Sequence, residues 1–161
     1  MNMNQEKTVT VRMAAEADAR DIMRVTREAF AAYARNGGEA GAAAALNETE
    51  EQIKDDIRNI LVFAALLDNE IIGSVRVELQ GSGNAYLSRF GVRAGYQSLG
   101  VGHKLMAAVD ERMAAEGVKM LSLHTASKAA SAVRFYYSCG FYIDSTATDR
   151  GYIRALMCKE Y

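Results

Sequence analysis

Gln97-Ser98-Leu99-Gly100-Val101-Gly102 stands between an apolar, strand-like run and a segment with helical spacing. Two near-adjacent glycines let a backbone approach a ligand closely, because no Cβ intervenes. A helix beginning there aims its unpaired N–H groups, and the positive end of its dipole, into the loop. That is a socket for phosphate or pyrophosphate. Two other phosphate-binding patterns fail at named residues. A P-loop needs Lys and Ser/Thr after its last glycine, and Gly102 is followed by His103, Lys104 and Leu105. A dinucleotide fingerprint needs a third small residue where Leu105 stands.

A second motif lies downstream in Ala132-Val133-Arg134-Phe135-Tyr136-Tyr137-Ser138-Cys139-Gly140-Phe141. Helical spacing from about Ala129 aligns Ala132, Phe135, Tyr136 and Cys139 on one side. Gly140 supplies a left-handed residue to end that helix, and Phe141 opens the next strand. Together the two segments resemble the GNAT superfamily of acyl-coenzyme A-dependent N-acetyltransferases. Gln97, Gly100 and Gly102 match its Q/R-x-x-G-x-G/A pattern. Ala132, Phe135, Tyr136, Gly140 and Phe141 match its later N-x-x-A-x-x-F/L-Y-x-x-x-G-F pattern, except that Ala129 replaces the asparagine.

The resemblance implies an α/β (α+β) fold: a mixed, mostly antiparallel sheet of about seven strands flanked by about four helices, with strands four and five splayed. It also implies transfer of an acetyl group from acetyl-CoA to a primary amine by direct attack, through a tetrahedral intermediate. The main chain of Gln97, Ser98, Leu99, Gly100, Val101 and Gly102, with His103 in the helix's opening turn, would meet the coenzyme's pyrophosphate. Arg134, Lys104 and Lys128 are candidates for its 3′-phosphate. Phe90, Gly91 and Val92 would offer backbone groups to the pantetheine arm. A glycine inside a strand independently suggests a bulge or a close backbone approach at Gly91, the alternative being room for a neighbouring side chain. Tyr136 matches the position whose hydroxyl meets the coenzyme sulfur and serves the leaving thiolate as an acid.

A primary amine, with a pKa of about 10.4, must lose a proton before attack. Some family members place a glutamate on strand four for this, but Ala85 to Val92 holds no carboxylate. Glu78, Glu39, or water held by Tyr86 or Ser88 are candidates for the task, and His124 is a candidate proton relay. The base stays open.

At 161 residues, half of them apolar and 24% charged, the chain reads as one domain over 1–161. A net charge of −1 argues against a nucleic-acid partner. Met1 to Lys7 has no signal-peptide character and no run suits a membrane span, so cytoplasm is the expected location. Cys139 and Cys158, with His103 and His124, form no metal-ligand spacing, and no metal is expected.

The elements that must position these residues follow from periodicity. Thr8 to Met13 alternates as a strand, and Asp18 reads as the cap of a helix with an inward stripe of Ile22, Val25, Ala29, Phe30 and Tyr33. Arg35 to Ala45, with three glycines, reads as a mobile connector able to act as a lid, although Ala42 to Leu46 suits a helical turn. Thr49 and Gln52 form a capping box before Ile53, Ile57 and Ile60. Strands are expected at 62–67, 71–79, 85–92 and 120–125, a helix from the glycine loop to about Glu116, and a closing hairpin of 142–148 with 152–159.

Tyr33, Glu78, Tyr152 and Glu39 suggest an acidic, aromatic acceptor pocket and hence a small cationic amine. Alternatives are a non-catalytic acyl-CoA sensor and a protein or peptide N-acetyltransferase. Homodimerisation through the hairpin or a sheet edge stays open.

Overall fold

A computed structural model describes residues 8–161, so the reading of Met1 to Lys7 lies outside the described residues. The sheet contains β1 (Thr10–Met13), β2 (Leu61–Leu67), β3 (Glu70–Gly81), β4 (Asn84–Val92), β5 (Met120–Ala126), β6 (Tyr142–Ala147) and β7 (Arg154–Glu160). Their spatial order is β1-β2-β3-β4-β5-β7-β6, and every neighbouring pair is antiparallel except β4 with β5. The helices are α1 (Ala19–Tyr33), α2 (Glu39–Leu46), α3 (Glu50–Asn59), α4 (Val101–Ala115) and α5 (Ala130–Ser138). Among the described residues no helix is long and apolar enough to cross a membrane.

Each face of the sheet carries its own core. On one, Val75, Val77, Leu87, Leu121 and Leu123 pack beneath Leu105, Val109 and Met113 of α4 and Tyr136 of α5. On the other, Ile22 and Val25 of α1 and Ile53 of α3 cover Val62, Ala64 and Ile71. The Thr49–Gln52 capping box forms as expected: Gln52 N–H donates to Thr49 Oγ1 at 3.2 Å, and Thr49 N–H to Gln52 Oε1 at 2.9 Å.

Three local expectations change. Asp18 precedes α1 but does not cap it; its carboxylate accepts from Ala15 N–H and from Arg12, closing the turn of 16–18 instead. Ala29, Phe30 and Tyr33 line a cleft and are only half-buried, because the sheet beneath them has opened. The glycine-rich connector is not an open loop. α1 runs through a kink at Asn36–Gly37 into α2, whose Ala42 and Ala45 are fully buried. Gly37 takes φ +98°, and a Cβ there would lie 2.5 Å from Lys128 O; a Cβ on Gly38 would lie 2.1 Å from the Tyr33 ring. These glycines were legible as helix breakers, but here they permit close packing.

Beneath α3, Arg76 is buried on β3 and holds Glu48 through both terminal guanidinium nitrogens, at 2.7 and 2.5 Å, with Asp56 at 2.9 Å. Breaking such a buried pair costs more than forming it gains. The network therefore fixes the 47–49 loop to the sheet centre.

Candidate active site

The parallel pairing of β4 with β5 lasts only from Asn84–Met120 to Tyr86–Ser122. Beyond it the strands separate, and backbone groups on the β5-facing edge of 87–92 have no strand partner among the described residues. The notch opens a cleft of about 480 Å³. A bulge sharpens the divergence: Ser88 and Gly91 face Arg76 and Ser74, leaving Arg89 and Phe90 opposite Val75 alone, with Arg89 at φ +51°. The bulge thus sits at Arg89–Phe90, and of the uses the sequence left open for Gly91 the structure selects close approach. A Cβ on Gly91 would lie 2.6 Å from Ala29 Cβ, so the glycine lets α1 approach β4.

At one end of the cleft the chain turns through Gln97–Leu99 into α4. Gly100 is left-handed at φ +69° and a Cβ on it would meet open space. The first intrahelical bond is Lys104 N–H to Gly100 O at 3.1 Å, so Val101, Gly102 and His103 have N–H groups with no intrahelical acceptor. Gly102 is small for packing: its Cβ would lie 3.0 Å from the Phe135 ring and 3.3 Å from Phe90. The two motifs therefore meet physically through Gly102 and Phe135.

Tyr136 lies below the notch, 8% exposed, ringed edge-on by Phe90, Phe135 and Phe141. A buried tyrosine hydroxyl normally finds a partner. That of Tyr136 lines the cleft and bonds to no described residue. Burial, reinforced by Tyr33, Cys139 and Tyr86, holds its pKa far above the usual phenol value.

Register places Tyr86, Ser122, His124 and Leu156 on the opposite face, shared with Arg76. There Tyr86 Oη and His124 Nδ1 are 2.7 Å apart. Burial, then Arg154 and Arg150, lower the His124 pKa, so the ring is neutral at pH 7. Burial raises that of Tyr86. Tyr33 closes the side, its hydroxyl accepting from Ala126 N–H at 2.8 Å and lying 3.1 Å from Thr125 Oγ1.

Of the residues singled out from sequence, Phe90, Gly91, Val92, Gln97, Gly100, Gly102, His103 and Tyr136 line this cleft. Ser98 and Leu99 are exposed in the turn beside it, and Val101 is fully buried in the core, leaving only its N–H for a ligand. Arg134 is exposed on α5 outside the lining, Lys104 reaches instead to Val9 O at 3.3 Å, and Lys128 is exposed outside the lining. His103 lies on the Phe135 edge, 3.1 Å from Ser138 Oγ.

The acidic acceptor pocket is not found. Tyr33 and Tyr152 line the cleft, but Glu39 and Glu78 lie outside it, and no described lining residue is a carboxylate. Instead Arg89, Arg150 and Arg154 line it. Sequence reasoning passed over all three: an arginine in a strand or hairpin turn carries no periodic signal of where it points.

The acetyltransferase (GNAT) family model matches residues 21–141. No curated protein matches the chain. Among solved structures, the PaiA N-acetyltransferase of Thermoplasma acidophilum in complex with coenzyme A is similar, with TM-score 0.84 and 22% identity over 96% of this chain and 99% of that one. The ribosomal-protein-S18-alanine N-acetyltransferase of Escherichia coli gives TM-score 0.75 and 18% identity, over 95% and 94%. The yncA protein of Salmonella typhimurium with its cofactor acetyl-CoA gives 0.76 and 15%, over 95% and 94%. At these identities the likeness is one of fold.

Proposed function

Because the chain belongs to the acetyltransferase (GNAT) family, we propose that it is an N-acetyltransferase carrying an acetyl group from acetyl-CoA to the primary amine of a small molecule. The observation that carries this reading is Tyr136, buried at a sheet notch with a hydroxyl that bonds to no described residue. The cleft fits the coenzyme in three respects. The unpaired edge of 87–92 suits an extended arm, the free N–H groups at the start of α4 suit a diphosphate, and Gly100 leaves the mouth open. Acetyl-CoA supplies the activated acyl group; the chain's residues do the rest.

Backbone N–H groups at the bulged edge stabilise negative charge on the carbonyl oxygen, an effect worth on the order of 3 kcal/mol per donor. Tyr136 stabilises the departing sulfur. Full proton transfer from a phenol near pKa 10 to a thiolate near 8.5 is uphill by about 2 kcal/mol, and burial widens that gap. Tyr136 therefore works as a hydrogen-bond donor to developing charge, rather than as the acid that the sequence resemblance implies. On the other face, His124 is neutral and supported by Tyr86, and it accepts the amine's proton at the ring nitrogen left free by that bond.

The test follows thiol release from acetyl-CoA with a panel of small primary amines, with acetylated product identified by mass spectrometry. Amine-dependent thiol release with matching product supports the reading. Thiol release without acetylated amine, or none at all, contradicts it.

A further inference from the structure

We infer that the acceptor amine carries an anionic group, a carboxylate or a phosphate, held by Arg150 and Arg154 at the hairpin end of the cleft. This rests on the reading of acetyl transfer to a small amine and specifies its substrate class.

Among described residues the cleft is lined by three arginines and two histidines, with no aspartate or glutamate. None of the three is tightly neutralised. Arg89 Nε lies 3.5 Å from Glu48, a carboxylate already held by Arg76, and makes no hydrogen bond among the described residues. Arg154, only 12% exposed, reaches Asp149 through contacts of 3.3 and 3.4 Å, which are long for a guanidinium–carboxylate pair. Arg150 is exposed in the turn before Tyr152 and has no hydrogen-bond or ion-pair partner among the described residues. The hairpin end thus holds two cations against one loosely placed carboxylate.

Position makes this excess chemically specific. Arg154 pairs with Ala126, and its neighbour Leu156 pairs with His124, so Arg154 shares the face of the Tyr86–His124 pair. The free helix N–H groups lie separately, at the Gln97–Gly102 end. A planar guanidinium fork matches carboxylate or phosphate oxygens. An amine bearing such a group would present its nitrogen to His124 while its acid is held. A polyamine would meet uncompensated positive charge instead. Burial is the main cause of the lowered His124 pKa; Arg154 and Arg150 lower it further, and Asp149 opposes them.

The experiment compares matched pairs with the intact protein: each α-amino acid against its amide, and O-phosphoethanolamine against ethanolamine. The expected result is a kcat/KM at least tenfold higher for the acid-bearing member, the two sets separating carboxylate from phosphate. Arg150→Glu, a change at an exposed and unpartnered side chain, is expected to close or invert that gap, with thermal melting as the fold control. Equal rates within pairs would overturn the inference. So would an Arg150→Glu protein that keeps the preference, or one whose defect lies in coenzyme A affinity. If no amine of either kind reacts while coenzyme A still binds, the transfer reading is what fails. The anion site is then judged on inorganic phosphate followed by His124 ring resonances. Phosphate should raise the His124 titration midpoint in wild type and not in Arg150→Glu; an unmoved midpoint in wild type overturns the site.

Discussion

Replacing Tyr136 by phenylalanine removes one oxygen and little else. The hydroxyl bonds to no described residue, so no buried partner is orphaned and the ring keeps its packing against Phe90, Phe135 and Phe141. Stability should change by under about 0.5 kcal/mol, which for a chain of this size is roughly 2 °C in Tm. Catalysis should respond very differently. A donor aimed at developing charge in a dry site is worth about 2.7–4 kcal/mol, or about 10²–10³ in rate. The assay is steady-state thiol release, with KM for acetyl-CoA measured in parallel. The account predicts a kcat lower by about two orders of magnitude or more, KM within about threefold and an unchanged melt. The raised pKa of Tyr136 adds a control: wild-type kcat should show no loss from tyrosine ionisation as pH rises to 10. A variant within threefold of wild type in kcat would refute the role. So would a large fall in Tm, since that would make the hydroxyl structural.

Other consequences follow from named contacts. His124 has a pKa below its ordinary value of about 6.5, so the acid limb of kcat/KM should fall at a midpoint below that value and be lost in His124→Ala. The same depression means the unfolded chain binds the proton more tightly. His124 therefore subtracts from stability as pH drops through 6.5 and below, which denaturant melts of wild type against His124→Gln would reveal. Glu48→Ala leaves Arg76 buried without its main partner and should cost about 3–5 kcal/mol, measured by denaturant unfolding. Gly37→Ala should lower stability by roughly 2 kcal/mol or more, because positive φ and the Lys128 carbonyl both oppose a Cβ; an unchanged midpoint would count against the packed connector.

Much of the scaffold was legible because periodicity and stop signals agree. Strand alternation, the Thr49 capping box, and Gly117 and Gly140 at left-handed φ located the elements to within a few residues. The meeting of Gly102 with Phe135 was not read from the sequence, although each belongs to a spaced motif. What escaped was orientation across long sequence separations. Gly91 could mark a bulge, a close approach or room for a neighbour, because a strand glycine has several uses, and only the path of α1 over Ala29 selects among them. Gly37 and Gly38 looked like a flexible break because composition does not reveal that Lys128 and Tyr33 press on them. The charge of the acceptor end was misjudged for the same reason. Glu39 and Glu78 belong to segments near the cleft but outside its lining, whereas Arg150 and Arg154 enter from a hairpin far along the chain.

Calorimetric titration of the folded protein with acetyl-CoA tests the central claim most directly, comparing wild type with Gly100→Val. Gly100 has open space around its missing Cβ but sits at φ +69°, so a β-branched residue must both strain the turn and stand in the cleft mouth. The account predicts saturable one-to-one binding by wild type and at least tenfold weaker binding by the variant, with both proteins folded. No binding by wild type, or equal binding by the two, would contradict it.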